Sequence, residues 1–148
     1  MNNRILGIDP GDKRIGLAIS DETGTIANPL SVLQHISRAE NARRIVGIVH
    51  DLDAASIVIG RTLNEDGEVS FQGRKSERLK QAILDITEIP VDFWNEDFST
   101  NQALESRQRM GVKKKKRKGH LDEIAATIIL QGYLDYKKAN QTENKVES

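Results

Sequence analysis

An α/β domain built on a mixed five-stranded sheet is the fold class this sequence predicts, and two observations carry it. Up to about residue 33 apolar residues recur in steps of two, as strands do. From residue 37 onward, continuous apolar runs are separated by stretches striped at helical spacing. A three-strand antiparallel meander followed by α-β-α-β-α-α gives a mixed sheet with helices on both faces. Strand order does not follow from the pattern.

Taken in order, "ILGID" (5–9) reads as a short buried strand. Asp9-Pro10-Gly11-Asp12 fits a type II turn, with proline at the first central position and glycine supplying positive φ at the second. In "RIGLAIS" (14–20), Ile15, Leu17 and Ile19 alternate with Gly16, Ala18 and Ser20. One face of that strand is bulky, and the other is small enough for a helix or another backbone to approach closely. "DETG" turns the chain into a third strand near 25–33, where Pro29 favours an edge position.

Ser37 and Glu40 form a capping box, and Ala42, Ile45, Val46, Val49 and Leu52 stripe the first helix. "ASIVIG" (55–60) predicts a strand buried on both faces. "RTLNEDGEVSFQG" (61–73) reads as a polar loop, Leu79, Ala82, Ile83 and Ile86 stripe a second helix, and "IPVDFWNE" (89–96) is the last strand. Ser99 and Gln102 make a second capping box that opens a short helix. "MGVKKKKRKG" (110–119) reads as a basic loop and "HLDEIAATIILQGYLDYKK" (120–138) as the last helix. One domain over 1–138 and a polar, flexible tail over 139–148 are expected, with no internal repeat or linker.

At 148 residues, 37% hydrophobic and 30% charged, the composition is that of a globular domain. No cysteine is present, which excludes disulfides and thiolate chemistry. No stretch reaches membrane-spanning length and "MNNRIL" lacks the apolar core of a signal peptide, so a cytoplasmic location without membrane partners is expected. The net charge of zero hides a separation. Lys113 to Lys118 are six consecutive basic residues, leaving 16 basic against 22 acidic residues elsewhere, a net −6.

Three carboxylates sit where an apolar element meets a polar break: Asp9 ends the first strand, Glu96 ends the last, and Asp122 opens the last helix. Sites in open α/β sheets form at the carboxyl ends of strands. If the strands bearing Asp9 and Glu96 are neighbours, their acids converge. Ala126, one helical turn from Asp122, is small enough to let the last helix bring Asp122 beside them. Three ionised carboxylates repel unless cations lie among them, and oxygen donors without His or Cys suit Mg²⁺ or Mn²⁺, which commonly act in pairs on phosphodiesters.

Singly, each acid also reads as ordinary: Asp9 as a turn residue, Glu96 as a solvated strand end, Asp122 as a helix-dipole acid. Their shared position at element ends favours a site. The basic run, which alone would read as a solvated segment, flanks that site and is suited to neutralising phosphates. His35 and His50 read as surface residues and His120 as a helix-start residue.

"GIDPGDKRIGLAISD" (7–21), "LNEDG" (63–67), "NEDFST" (95–100) and "HLDEIAATIILQGYLD" (120–135) resemble the YqgF (RuvX-like) family of pre-16S rRNA nucleases, whose architecture is like that of Holliday junction resolvases. The resemblance implies an RNase H-like fold and its strand order. It also implies that Asp9, Glu96 and Asp122 are the catalytic acids and hold a pair of Mg²⁺ or Mn²⁺ ions. Lys13, Arg14, Arg61, Asn64, Lys113, Lys114, Lys115, Lys116, Arg117 and Lys118 are the candidate nucleic-acid contacts.

Two stretches depart from the family pattern. Gly60-Arg61-Thr62-Leu63-Asn64 stands where the family usually reads Gly-Leu-Pro-Leu-Asn, and Asn95-Glu96-Asp97-Phe98-Ser99 where it reads Asp-Glu-Arg-Leu-Thr. The expected function is metal-dependent endonuclease action on structured RNA, in processing of the 5′ end of precursor 16S rRNA. A Holliday-junction-type DNA resolvase and a catalytically silent nucleic-acid-binding module are the alternatives. The expected partners are precursor rRNA or branched DNA, and a second copy of the chain in a homodimer. An actin-like ATPase would need two such domains around its nucleotide, and the chain supplies one.

Overall fold

The computed structural model describes the backbone of residues 2–96 and 114–147, and the side chains of residues 2–96 and 122–140. Its strands are β1 (Ile5–Pro10), β2 (Arg14–Ser20), β3 (Ala27–Gln34), β4 (Ser56–Thr62) and β5 (Val91–Glu96). They form one sheet in the order β3-β2-β1-β4-β5. The first three strands pair antiparallel, whereas β4 pairs parallel with both β1 and β5. The predicted meander and mixed sheet are therefore present. Pro29 lies on edge strand β3 as expected, beside a register shift at which Leu17 pairs with Ser31 and Ala18 with Pro29.

Helices α1 (Arg38–Asp51) and α2 (Phe71–Leu84) cover one face of the sheet. Ser37 caps α1 by accepting the Glu40 N–H at 3.1 Å, and Ala42, Ile45, Val46 and Val49 are buried as their spacing predicts. They pack with Leu79 and Ile83 of α2 against Leu6, Ile8, Ile15, Leu17, Ile57 and Ile59. The opposite face is covered by α3 (Lys114–Glu147), through Ala126, Leu130, Tyr133 and Leu134 against Ile5, Ala18 and Val58.

Two polar ties set α3 across the sheet. Gln131 accepts from the Ala27 N–H at 2.9 Å and donates to the Thr25 carbonyl at 3.0 Å, which fixes the helix to the β3 edge. Tyr133 donates to the Asp92 carboxylate at 2.6 Å, which fixes it to β5. Among the described residues no helix is long and apolar enough to cross a membrane.

Four expectations are corrected. The type II turn over 9–12 does not form: β1 runs through Pro10, Asp9 and Pro10 pair with Gly16 and Ile15, and the reversal lies at 11–13, closed by the Gly11 N–H to the Arg14 carbonyl at 2.9 Å. Gly11 is not among the positive-φ residues Gly24, Gly67 and Asp53. The proline fits because its missing N–H is not required at the end of the ladder.

The polar loop is shorter than 61–73. Arg61 and Thr62 finish β4, and Ser70, whose hydroxyl accepts the Gly73 N–H at 3.0 Å, starts α2. Ile86 consequently lies beyond α2 and is 48% exposed. Lys114 to Lys118 are not in a loop: they form the first turns of α3, in keeping with the helix propensity of lysine and arginine. The helix also continues past residue 138 to Glu147, a stretch without glycine or proline to stop it. The capping box at Ser99 and Gln102 lies outside the described residues.

Candidate functional site

The sheet's composition explains where a cleft opens. The strands turn Leu6, Ile8, Ile15, Leu17, Ile57 and Ile59 toward α1 and α2. The alternate residues that face α3 include Asp9, Gly16, Ala18 and Gly60, which are small or charged. Gly16 is decisive for the helix: a Cβ built there would lie 2.0 Å from the Asp122 carbonyl oxygen. Contrary to expectation, Asp122 does not open α3 but lies in its third turn. Only a glycine lets α3 come this close to β2 there, directly opposite Asp9 in the ladder.

Asp9 and Glu96 are not on neighbouring strands, since β4 lies between β1 and β5. They converge nonetheless because β4 carries no side chain at the crossing point. Gly60 follows the last β1–β4 pair, Ile8 with Ile59, and a Cβ on it would come within 3.2 Å of Glu96 Oε2 and 2.5 Å of Ile129 Cδ1. The Glu96 carboxylate thus lies over β4. The buried Ser76 hydroxyl donates to the Gly60 carbonyl at 2.6 Å and ties α2 to this point. Asp9, Gly60, Thr62, Gln72, Ser76 and Glu96 line a cleft of about 230 Å³ at the carboxyl edge of the parallel strands.

Neither acid has a hydrogen-bond or ion-pair partner among the described residues, although Glu96 is only 6% exposed. Burial first, and the charge of Asp122 second, push the Asp9 carboxyl up to about 6. Burial first, and the charge of Asp9 second, push Glu96 up to about 7. Asp122 stands apart in one respect: its carboxylate lies 3.6 Å from the Arg14 guanidinium. Its pKa is raised by burial, lowered in opposition by Arg14, and raised again by Glu123.

Asp9 and Glu96 therefore share a cleft, while Asp122 influences Asp9 from beside it and is held by a cation. No three His, Cys, Asp or Glu side chains among the described residues form a closed cage for a metal ion. Two carboxylates with no partner among the described residues, facing an open cleft, do fit a hard divalent cation that keeps several waters and takes one or two protein carboxylates. The donor set is oxygen only, which suits Mg²⁺ or Mn²⁺.

The other candidate residues are dispersed. Lys13 is exposed in the β1–β2 reversal and Asn64 in the turn after β4, both at the same sheet edge as the cleft. Arg61 points to the opposite face, where its guanidinium stacks 4.3 Å over the Phe93 ring, donates to Asn95 Oδ1 at 2.8 Å and pairs with Glu77 at 3.7 Å. It braces β4, β5 and α2. The backbone of Lys114, Lys115, Lys116, Arg117 and Lys118 lies on α3 one to two turns before Asp122, while Lys113 and Asp97 lie outside the described residues. His35 and His50 are exposed, as read.

The sequence reading missed Gly60 and Ser76. A glycine ending a β-branched run, and a serine in the apolar stripe of α2, were the available signals.

A sequence model of the RuvX family, described as Holliday junction resolvase, matches residues 3–136. A protein of Acetivibrio thermocellus named "Putative pre-16S rRNA nuclease" is 41% identical, over 90% of this chain and 96% of its own length. A Caldanaerobacter subterraneus protein of the same name is 38% identical, over 91% and 98%. Among solved structures, T. thermophilus RuvC in complex with a Holliday junction substrate aligns with a TM-score of 0.54 at 16% identity, over 92% of this chain and 96% of that one. At that identity the likeness is one of fold, and it supports the RNase H-like architecture expected.

Proposed function

The chain belongs to the RuvX family, and from that premise we propose that it is a divalent-metal-dependent endonuclease of structured nucleic acid, with precursor 16S rRNA near its 5′ end as substrate. The observation that carries this reading is the pair Asp9 and Glu96: buried or partly buried, without a partner among the described residues, and facing one cleft across Gly60. Asp9 and Glu96 are the first ligands proposed, and Asp122 the third acid. Bound among them, Mg²⁺ or Mn²⁺ supplies charge neutralisation and Lewis-acid polarisation of a phosphodiester.

The chain's own residues do the rest. Without a cation, Glu96, at about 7, is partly protonated near neutral pH and Asp9, at about 6, becomes so in mildly acidic solution, so cation binding and deprotonation are coupled there. Arg14 keeps Asp122 in its place beside Asp9. Lys13, Asn64 and the basic start of α3 lie along one edge of the site, where the phosphate backbone of a substrate needs neutralisation against an acidic body. The cytoplasm is the compartment this reading implies.

A second reading, resolution of branched DNA, is favoured by the description of the matching family model and uses the same chemistry. A two-fold symmetric junction has two bonds to cut, which is a reason to expect two copies of the chain to act together. Incubating purified protein with precursor 16S rRNA and with a four-way DNA junction, each with EDTA, Mg²⁺ or Mn²⁺, tests both. Metal-dependent cleavage of the RNA is expected. Cleavage of the junction alone supports the second reading, and binding of both without cleavage means a silent module.

A further inference from the structure

Beyond the acids, the same edge of the sheet carries a second cleft, of about 180 Å³, on the face covered by α1 and α2. Pro10 lines both clefts and stands between them. The polar groups of the second are Asp12, His35, Arg38, Asn41, Lys75 and Arg78, drawn from the β1–β2 reversal, the segment after β3, and both helices.

Three features make it a site for an anion. First, Arg38 and Arg78 are exposed and have no hydrogen bond or ion pair with any described residue. The only acid in the lining, Asp12, is engaged by Lys75 and also accepts from Gln72 at 3.4 Å. Second, α1 begins at Arg38, so the positive end of a 14-residue helix adjoins the cleft.

Third, Asn41 is 2% exposed and its Oδ1 accepts from the Ile36 N–H at 3.1 Å and from Arg44 Nη2 at 2.7 Å. Both partners are donors, which fixes the orientation of the amide. Its Nδ2 group, able to donate twice, then has no partner among the described residues, at the wall of a cleft. A buried amide with open donors, lining one cleft with two guanidiniums that have no partner among the described residues, is set for an oxyanion with several acceptor oxygens.

We propose that this cleft is a second phosphate site, which takes a backbone phosphodiester of the same nucleic acid whose scissile bond lies in the Asp9–Glu96 cleft. The inference rests on the function proposed above. A polynucleotide crossing the sheet edge over Pro10 places one phosphate on each face of the sheet. The contacts reach phosphate and not bases, so the site contributes register and affinity without sequence preference. It favours substrates that bend or branch over that edge, and an extended single strand lying in one cleft cannot use it.

Two measurements test this together. In ¹⁵N-labelled protein, inorganic phosphate should shift the Asn41 side-chain amide peaks in the wild type and not in an Arg38→Gln/Arg78→Gln variant. In EDTA, so that nothing is cut, the same variant should bind an RNA hairpin about tenfold or more weakly at about 0.1 M salt, with a log–log salt slope smaller by roughly one. Arg43→Gln, which removes a cation of α1 already paired with Glu40 and outside the cleft, should leave the slope unchanged.

An Asn41 amide that does not respond to phosphate overturns the proposal. So does a double variant with wild-type affinity and slope, in which case any phosphate response belongs to a free anion. Wild-type protein that binds neither RNA nor DNA contradicts the function proposed above and removes the nucleic-acid occupant with it. That failure is distinct, because it appears before any variant is made.

Discussion

The two faces of the sheet are built on opposite principles. Toward α1 and α2 the strands present isoleucine and leucine, and fully buried side chains such as Leu6, Ile8, Ile45, Ile59 and Ile83 fill the layer. Toward α3 they present Gly16, Ala18 and Gly60, and the helix backbone itself comes down where side chains would otherwise be. The first face holds the fold by burying apolar bulk. The second gives up bulk so that acids from a strand, from the next strand but one and from a helix can approach one another. Stability and the proposed chemistry thus fall on different sides of one sheet, and substitutions on the two sides should fail in different ways.

The largest difference is expected in cleavage. Asp9→Asn or Glu96→Gln should each lower the cleavage rate by roughly 10³-fold or more, and the double variant should be little worse, because each alone disables one unit. Both should remain folded by circular dichroism. Near-wild-type cleavage by either variant would remove that acid from the site. On the other face, Ile83→Ala empties space around a residue that is 0% exposed and should cost about 2–5 kcal/mol in denaturant unfolding. The protein that stays folded should cut at close to the normal rate.

A pair of glycine substitutions sharpens the contrast. Gly16→Ala drives a methyl group toward the Asp122 carbonyl oxygen, which is backbone and cannot rotate away, so a loss of about 1–3 kcal/mol and weakened cleavage are expected. Gly47→Ala lies on α1, where nothing stands within 4 Å, and should raise stability by about 0.5–1 kcal/mol through helix propensity. Two melting curves decide whether the signs are opposite.

Much of the first face was legible in the sequence, because its stripes are carried by side-chain type alone. Ser37 with Glu40 announced α1, and Ala42, Ile45, Val46 and Val49 named its buried side. The small face of β2 was legible as well, and with it the close approach of a helix. The turn at Pro10 was misread because a Pro-Gly pair fits both a type II turn and the end of a strand, and only the ladder partners decide between them. The basic run was misread because charge was taken for irregularity, although lysine and arginine favour helix.

Convergence of the acids depended on strand order, which local pattern does not encode, and on Gly60 in a strand whose role was not visible until β5 lay beside it. Arg61 was grouped with the substrate contacts through its place in a motif. The alternation of β4 sends it to the other face, onto Phe93.

The central claim is that Asp9 and Glu96 share a cation across Gly60, and scanning calorimetry of the wild type and Asp9→Asn tests it most directly. Both carboxyls bind their protons more tightly in the folded chain, at about 6 for Asp9 and about 7 for Glu96. Their ionisation therefore disfavours the fold as pH rises from about 4 toward those values, and the loss is complete above them. In EDTA at pH 8 the Asp9→Asn protein should melt above the wild type, and the gap should narrow as the pH falls through 5 and close near 4. Added Mn²⁺ should reverse the order. At a few times its dissociation constant the metal should raise the wild type by on the order of 1 kcal/mol, roughly 2–4 °C for a chain of this length, and raise the variant little. Equal metal shifts in the two proteins, with no gap between them in EDTA, would contradict the account and leave Asp9 as an ordinary strand-end residue.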